Sequence, residues 1–263
     1  MQRRGVGECR RDGSFPVASA GGLKYERAST MTARPSFDPQ NHAEFDAVAD
    51  DYDRLHRANI KLSGEDPEYF ARYKLDVMTR ILGAGFAGRV LDFGCGIGNL
   101  TKFLVGAFQS VHGYDPSSAS VKLAKERAPA AEFTFDEDSL AASSYGAVVI
   151  ANVLHHVPPV DREALLARVA TKLAPGGKLV VFEHNPWNPL TRKVVAECAF
   201  DADAVLLPPT EIRSRLRTAG LTNVKTKFIV FFPRALAALR GLEPALAWLP
   251  LGAQVAITAE RAP

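Results

Sequence analysis

Arg89-Val90-Leu91-Asp92-Phe93-Gly94-Cys95-Gly96-Ile97-Gly98-Asn99-Leu100 decides how the rest of this 263-residue chain is read. Val90, Leu91 and Phe93 supply an apolar run of strand length. Gly94, Gly96 and Gly98 then permit backbone angles and approaches that a Cβ would forbid. Leu100, Phe103, Leu104 and Phe108 follow at the three-to-four spacing of a helix face. A strand that enters a helix through a glycine turn leaves free N–H groups at the helix start, where a negatively charged ligand group is favoured.

The dinucleotide-binding pattern is G-x-G-x-x-G, whereas this turn reads G-x-G-x-G with Asn99 after the third glycine. An acid, Asp92, stands inside the strand. Val90 to Gly98 resembles motif I of the class I S-adenosylmethionine (SAM) methyltransferases, hydrophobic-(D/E)-x-G-x-G-x-G, and the match is complete. Further resemblances follow in order along the chain. Phe45-Asp46-x-x-Ala49-x-x-Tyr52-Asp53 is similar to the lid segment ahead of motif I, whose Tyr faces the reactive methyl; the plain alternative is an amphipathic helix with Tyr52 packed. Tyr145 to Val157 is similar to the family's fourth-strand segment ending in His155-His156, with Gly146 where Asp is usual. Leu173-Ala174-Pro175-Gly176-Gly177 is similar to its L-x-P-G-G turn into the fifth strand.

The resemblance covers roughly residues 40–232. It implies an α/β, Rossmann-like, seven-stranded and mostly parallel sheet with helices on both faces and an antiparallel last strand. It also implies SAM as cofactor. Asp92, Gly94, Cys95, Gly96 and Gly98 would form the cofactor turn. Asp115 ends a second short strand, 23 residues after Asp92, where an acid accepts ribose hydroxyls. Asp136, the first of three adjacent acids after a third strand, would take the adenine amino group. Asn152 falls at the carboxyl end of the fourth strand, where open α/β sheets bind ligands.

The chemistry expected of such a site is in-line methyl transfer to an electron-rich atom, which demands alignment and exclusion of water. For a hydroxyl acceptor a histidine base is suited. His156 and His184 are joint candidates, with Tyr52 beside them. Lys74, on a helix over 67–83 whose face is lined by Tyr69, Phe70, Tyr73, Val77 and Ile81, could reach a SAM carboxylate; a solvated lysine is the simpler expectation.

Residues 1–35 are rich in Gly, Ser, Ala and Arg without periodicity and read as a disordered extension, with Met31 as an alternative start. Residues 36–263 read as the catalytic domain. Within it, 36–83 form N-terminal lid helices, and 186–209 and 233–250 form a substrate-side cover. His184 to Leu190 reads as a substrate wall or an ordinary rigid loop. Residues 191–209 read as an insertion anchored by Phe200, Val205, Leu206 and Leu207, followed by a helix capped by Thr210. The apolar run 234–249 reads as a helical cover, as plain core packing, or as a membrane-surface contact. Strands are expected over Lys225–Phe232 and Ala253–Ala259.

Net charge is +3, and residues 1–30 account for it, with six basic against three acidic residues. The remainder is neutral, so composition gives no reason to expect a nucleic-acid partner. Cys9, Cys95 and Cys198 are too few and scattered for a disulfide framework or metal cluster, and a reducing cytoplasm is expected. No secretory leader or transmembrane run is evident. The acceptor expected is a small or lipid-like molecule methylated on oxygen. A nicotinamide-dependent oxidoreductase and a non-catalytic SAM-fold regulatory subunit are the rivals; the spacing at Gly98 and Asn99 argues against the first, and the intact motif with Asp115 against the second.

Overall fold

The computed structural model describes residues 60–198 and 204–263, all within a compact unit spanning Phe37–Pro263. The unit Met1–Ser36, the lid stretch with Tyr52, and Phe200 lie outside the described residues.

Seven strands form one sheet in the order β3-β2-β1-β4-β5-β7-β6. They are β1 (Val90–Phe93), β2 (Val111–Tyr114), β3 (Glu132–Thr134), β4 (Tyr145–Ala151), β5 (Leu173–His184), β6 (Thr222–Ile229) and β7 (Gln254–Glu260). The pairings among β1 to β5 are parallel, while β7 runs antiparallel to both β5 and β6. Register aligns the strand ends. Phe93 lies opposite Tyr114 on one side and Ile150 on the other, so Gly94, Asp115 and Asn152 leave the sheet along one edge. The chain reverses its order between β1 and β4, which opens a crevice at their carboxyl ends.

Central strands are buried on both faces, as parallel sheets require. One face carries Leu91, Phe93, Val148 and Ile150 against Leu166 of α4 (Arg162–Lys172) and Leu216 of α6 (Pro209–Thr218). The other carries Val90, Val149, Val180 and Phe182 against Met78 of α1 (Pro67–Leu82) and Leu104 of α2 (Thr101–Ala107). Among the described residues the remaining helices of eight residues or more are α3 (Ser118–Arg127) and α5 (Pro189–Ala196).

Asp66 caps α1 by accepting from the Tyr69 N–H at 2.7 Å, with Pro67 in the first turn. The buried stripe of α1 is Pro67, Ala71, Lys74, Val77 and Met78, rotated from the face expected through Tyr69, Phe70 and Tyr73. Lys74 is therefore not a solvated lysine but an interior one. The segment after β5 also differs from expectation. Asn188 accepts from the N–H groups of Leu190 and Thr191, and Pro189 occupies the first turn, so α5 starts where a loop and insertion were expected. Of that insertion's expected anchors, Leu207 is buried but Val205 is exposed. Thr210 does not cap α6; the cap position is Pro208 and no side chain fills it.

β6 ends at Ile229, three residues early, because Val230 turns into the left-handed region at φ 61°. A β-branched residue rarely adopts that conformation. Beyond it, Arg234–Leu242 is a 3-10 segment broken at Leu236, followed by a short helical turn Glu243–Leu246. The cover is bolted to α1. The buried Glu243 carboxylate accepts from the Phe231 and Phe232 N–H groups, each at 3.1 Å, and from the Tyr73 hydroxyl. Arg240 pairs with Glu65 and lies 4.4 Å above the Tyr69 ring. Core packing is not what this stretch does, since no residue from Arg234 to Leu242 is buried.

Candidate active site

The glycine turn is held from two sides. The N–H groups of Gly94 and Cys95 both donate to the Tyr114 carbonyl, at 2.7 and 2.9 Å. Gly94 has φ 77°, and a Cβ there would stand 2.4 Å from Val153 Cγ2. Gly98 packs its open side against the Ala124 backbone of α3, where a Cβ would stand 3.1 Å from the Cα. Gly96 differs. Nothing lies within 4 Å of where its Cβ would be, although its φ is 52°. Two glycines thus pack the turn onto the fold, and the middle one faces open space.

Asp115 reaches that middle residue: its carboxylate accepts from the Gly96 N–H at 2.8 Å and the Ser117 N–H at 3.0 Å. An acid at the end of β2 is thereby aimed at the mouth of the turn. Asp92 points the other way, into the core. Its carboxylate accepts from the Thr101 hydroxyl at 2.6 Å, and burial pushes it up to about 7. Its place is beneath the turn, where it ties β1 to α2. Burial pulls the Lys74 ammonium down to about 8, against the opposing pull of Glu183 and Asp92. Cys95 is a filler: its sulfur lies 3.1 Å from where a Cβ on Gly113 would be, and burial pushes the thiol well above its usual range.

Asn152 leaves β4 at φ 57°, and its N–H donates to the Phe182 carbonyl. Its side-chain Oδ1 is buried without a hydrogen-bond partner. A buried acceptor left unsatisfied costs about 1–3 kcal/mol, which a ligand donor would relieve. Asp136 is exposed and uses one oxygen to accept from the Asp138 N–H at 3.0 Å.

Across the crevice, three histidines gather at the ends of β4 and β5. The His155 ring lies 4.2 Å from His156 and 5.1 Å from His184. His156 and His184 are the two expected from the sequence, and the structure sets both beside His155, which is itself held. His155 is buried, and its Nδ1–H donates to Glu183 Oε2 at 2.6 Å, while Glu183 Oε1 accepts from the Leu154 N–H at 2.7 Å. Burial alone would raise the Glu183 carboxyl, but His155, His184 and the Leu154 N–H outweigh it and hold it below its usual value. Arg162 of α4, also buried, donates to the carbonyls of Leu154, Val157 and Val205, and so closes the histidine turn from behind. Among the described residues no His, Cys, Asp or Glu group has the arrangement of a metal site.

Glu183 and Arg162 went unnamed in the sequence because neither belongs to a local pattern. A signal existed for Lys74, which continues the spacing of Ala71 and Met78.

The family model of the methyltransferase domain matches residues 42–226. The chain belongs to this family. An uncharacterised methyltransferase of Bacillus mycoides is 32% identical over 144 residues, a match taking in 52% of this chain and 66% of that protein. The chain thus spans just under two thirds of the curated relatives it matches. Among solved structures, a SAM-dependent methyltransferase of Thermotoga maritima, described as a possible histamine N-methyltransferase, superposes with a TM-score of 0.61 at 20% identity. It covers 82% of this chain and 97% of its own. Magnesium protoporphyrin IX methyltransferase from Synechocystis, solved with bound SAM, gives 0.58 at 18% identity over 87% and 100%. These likenesses establish the methyltransferase fold, and SAM is the cofactor for which the family's turn is built. No helix among the described residues is long and apolar enough to cross a membrane.

Proposed function

We propose that this methyltransferase domain transfers a methyl group from SAM to an oxygen of a small or lipid-like acceptor in the cytoplasm, in secondary or cell-envelope metabolism. The observation that carries the reading is the pairing, along one sheet edge, of an open glycine turn with a buried Glu183–His155 pair flanked by two further histidines. When bound, SAM supplies an electrophilic methyl on a sulfonium. The residues of this chain do the rest. The Gly96 cradle and the Asp115 carboxylate suit a ribose with free hydroxyls and would repel a 2′-phosphate. Lys74 suits a carboxylate, Asn152 Oδ1 a donor, and Asp136 the adenine amino group. His156 or His184 takes the proton from the acceptor hydroxyl, a contribution worth about 10²–10⁴-fold in rate. Glu183 fixes the His155 ring, against which both of these histidines lie. Tyr52, outside the described residues, would close over the methyl. Residues 1–35 would be an extension, 36–83 the lid, and 186–209 with 233–250 the acceptor-side cover. The near-neutral charge of the domain agrees with a non-nucleic-acid acceptor.

Labelled SAM incubated with a lysate of the source cells, then separated into small-molecule, lipid and macromolecular fractions, tests this reading. Label in the small-molecule or lipid fraction, absent with Asp115→Ala, supports it. Base-labile label would mark an ester and acid-stable, base-stable label an ether or amine, to be separated by mass spectrometry. Label in protein or nucleic acid overturns the acceptor class. No transfer despite SAM binding would favour a regulatory subunit.

A further inference from the structure

Residues 233–251, which join β6 to β7 and whose acceptor-side role is proposed above, also turn an apolar outer surface to solvent. Leu236, Leu239, Leu242, Trp248 and Leu251 are 47, 41, 55, 74 and 56% exposed. The stretch holds three charged residues, Arg234, Arg240 and Glu243. Its only acid, Glu243, is turned inward and buried by its bonds to Tyr73, Phe231 and Phe232. Arg234 stays exposed. The outer side is therefore leucine, tryptophan and arginine without an acid of its own.

A second segment joins it. The Trp187 ring packs 5.9 Å from Phe228, whose N–H donates to the Ala247 carbonyl beside Trp248. Asn188 Nδ2 donates to the Leu251 carbonyl at 2.7 Å, and the Thr191 hydroxyl to the Ala253 carbonyl at 3.0 Å. These bonds fasten α5 to the segment, with Arg192 and Lys193 exposed on it. Even with the exposed Glu197 counted, Arg192, Lys193, Glu197 and Arg234 carry a net charge of +2. Both tryptophans of the chain lie here, and Trp187 is three residues beyond His184.

We propose that this surface docks on an anionic lipid bilayer. Tryptophan prefers the membrane interface because its ring is apolar and its N–H polar. Exposed leucines reach the acyl boundary while neighbouring arginines and lysines meet anionic headgroups. A second copy of the chain is the poorer occupant: a two-fold interface sets each patch against its own copy, so that like charges meet. The inference stands apart from the acceptor reading; where both hold, an amphiphilic acceptor reaches His184 from the bilayer side.

The full chain is mixed with phosphatidylcholine vesicles, with and without phosphatidylglycerol, and followed by co-sedimentation and tryptophan emission. The expected result is sedimentation with the anionic vesicles and a blue shift, both weakened by salt. Arg234→Glu should lower partitioning at least about fivefold. Leu239→Glu with Leu242→Glu should abolish it and leave the thermal midpoint unchanged, because both side chains are exposed. The proposal is overturned by emission that is already blue and insensitive to vesicles, which means that the chain's own N-terminal residues cover the surface. It is overturned equally by a soluble dimer that Leu239→Glu dissociates, by failure to bind vesicles, or by binding that these substitutions leave intact.

Discussion

The two sides of the crevice are built differently. On the glycine side, positions are fixed by backbone: the Gly94 and Cys95 N–H groups donate to the Tyr114 carbonyl at the end of β2, the Gly98 N–H donates to the Cys95 carbonyl, and the Asp115 carboxylate beyond β2 accepts from the Gly96 N–H. On the histidine side, positions are fixed by buried charge. Glu183 holds His155 across 28 residues of sequence, and Arg162 binds Val205 across 43. A backbone-built site tolerates changes of side chain but not of shape. A charge-built site tolerates changes of shape but not the loss of a partner.

Breaking the charge-built side should have the largest effect. Glu183→Ala leaves His155 and the Leu154 N–H without their acceptor in a dry interior. Loss of one partner from a buried pair costs about 3–5 kcal/mol, to be read from urea unfolding. Protein that remains folded should keep its affinity for SAM, because the glycine turn is untouched. A fall in SAM affinity as large as the fall in stability would erase the distinction between the sides.

The glycine side is sharpened by comparing two of its own residues. Gly94→Ala places a methyl against the stiff Val153 side chain at positive φ and should cost about 2–4 kcal/mol of stability. Gly96→Ala meets nothing and should cost about 1 kcal/mol, yet it should weaken SAM binding more than its stability loss accounts for. Equal effects of both changes on stability would mean that Gly96 is packed, not open.

Legibility followed the same division. The turn and the acid that ends β2 were readable because each rests on contiguous residues or on a fixed strand–helix–strand interval, and the mostly parallel seven-stranded sheet followed from the family resemblance. Arg162, Glu183 and Glu243 were not, because a charged residue is solvated unless something distant buries it, and the partners lie far along the chain. The end of β6 was misplaced by three residues, because Val230 adopts a conformation its residue type disfavours. The apolar run 234–249 looked like core as readily as cover, because composition does not say which way a leucine faces.

A smaller effect reports on the layer beneath the turn. Burial raises Asp92 from 3.8 to about 7. Between those values the folded chain keeps a proton that the unfolded chain has released, so this group's contribution to stability falls as pH rises from about 4 to about 7. Asp92→Asn should remove that part of the slope, seen as a gain over wild type at pH 7.5 relative to pH 5 in thermal melts. A gain that is larger at pH 5 would contradict the burial of this carboxylate.

The most direct measurement is a calorimetric titration of the full chain with SAM and, separately, with NADH. The expected result is saturable one-site binding of SAM and no binding of NADH. Asp115→Ala should weaken SAM binding by about ten- to a hundredfold, as expected for loss of hydrogen bonds to a charged group. Binding of NADH, or SAM binding indifferent to Asp115, would contradict it.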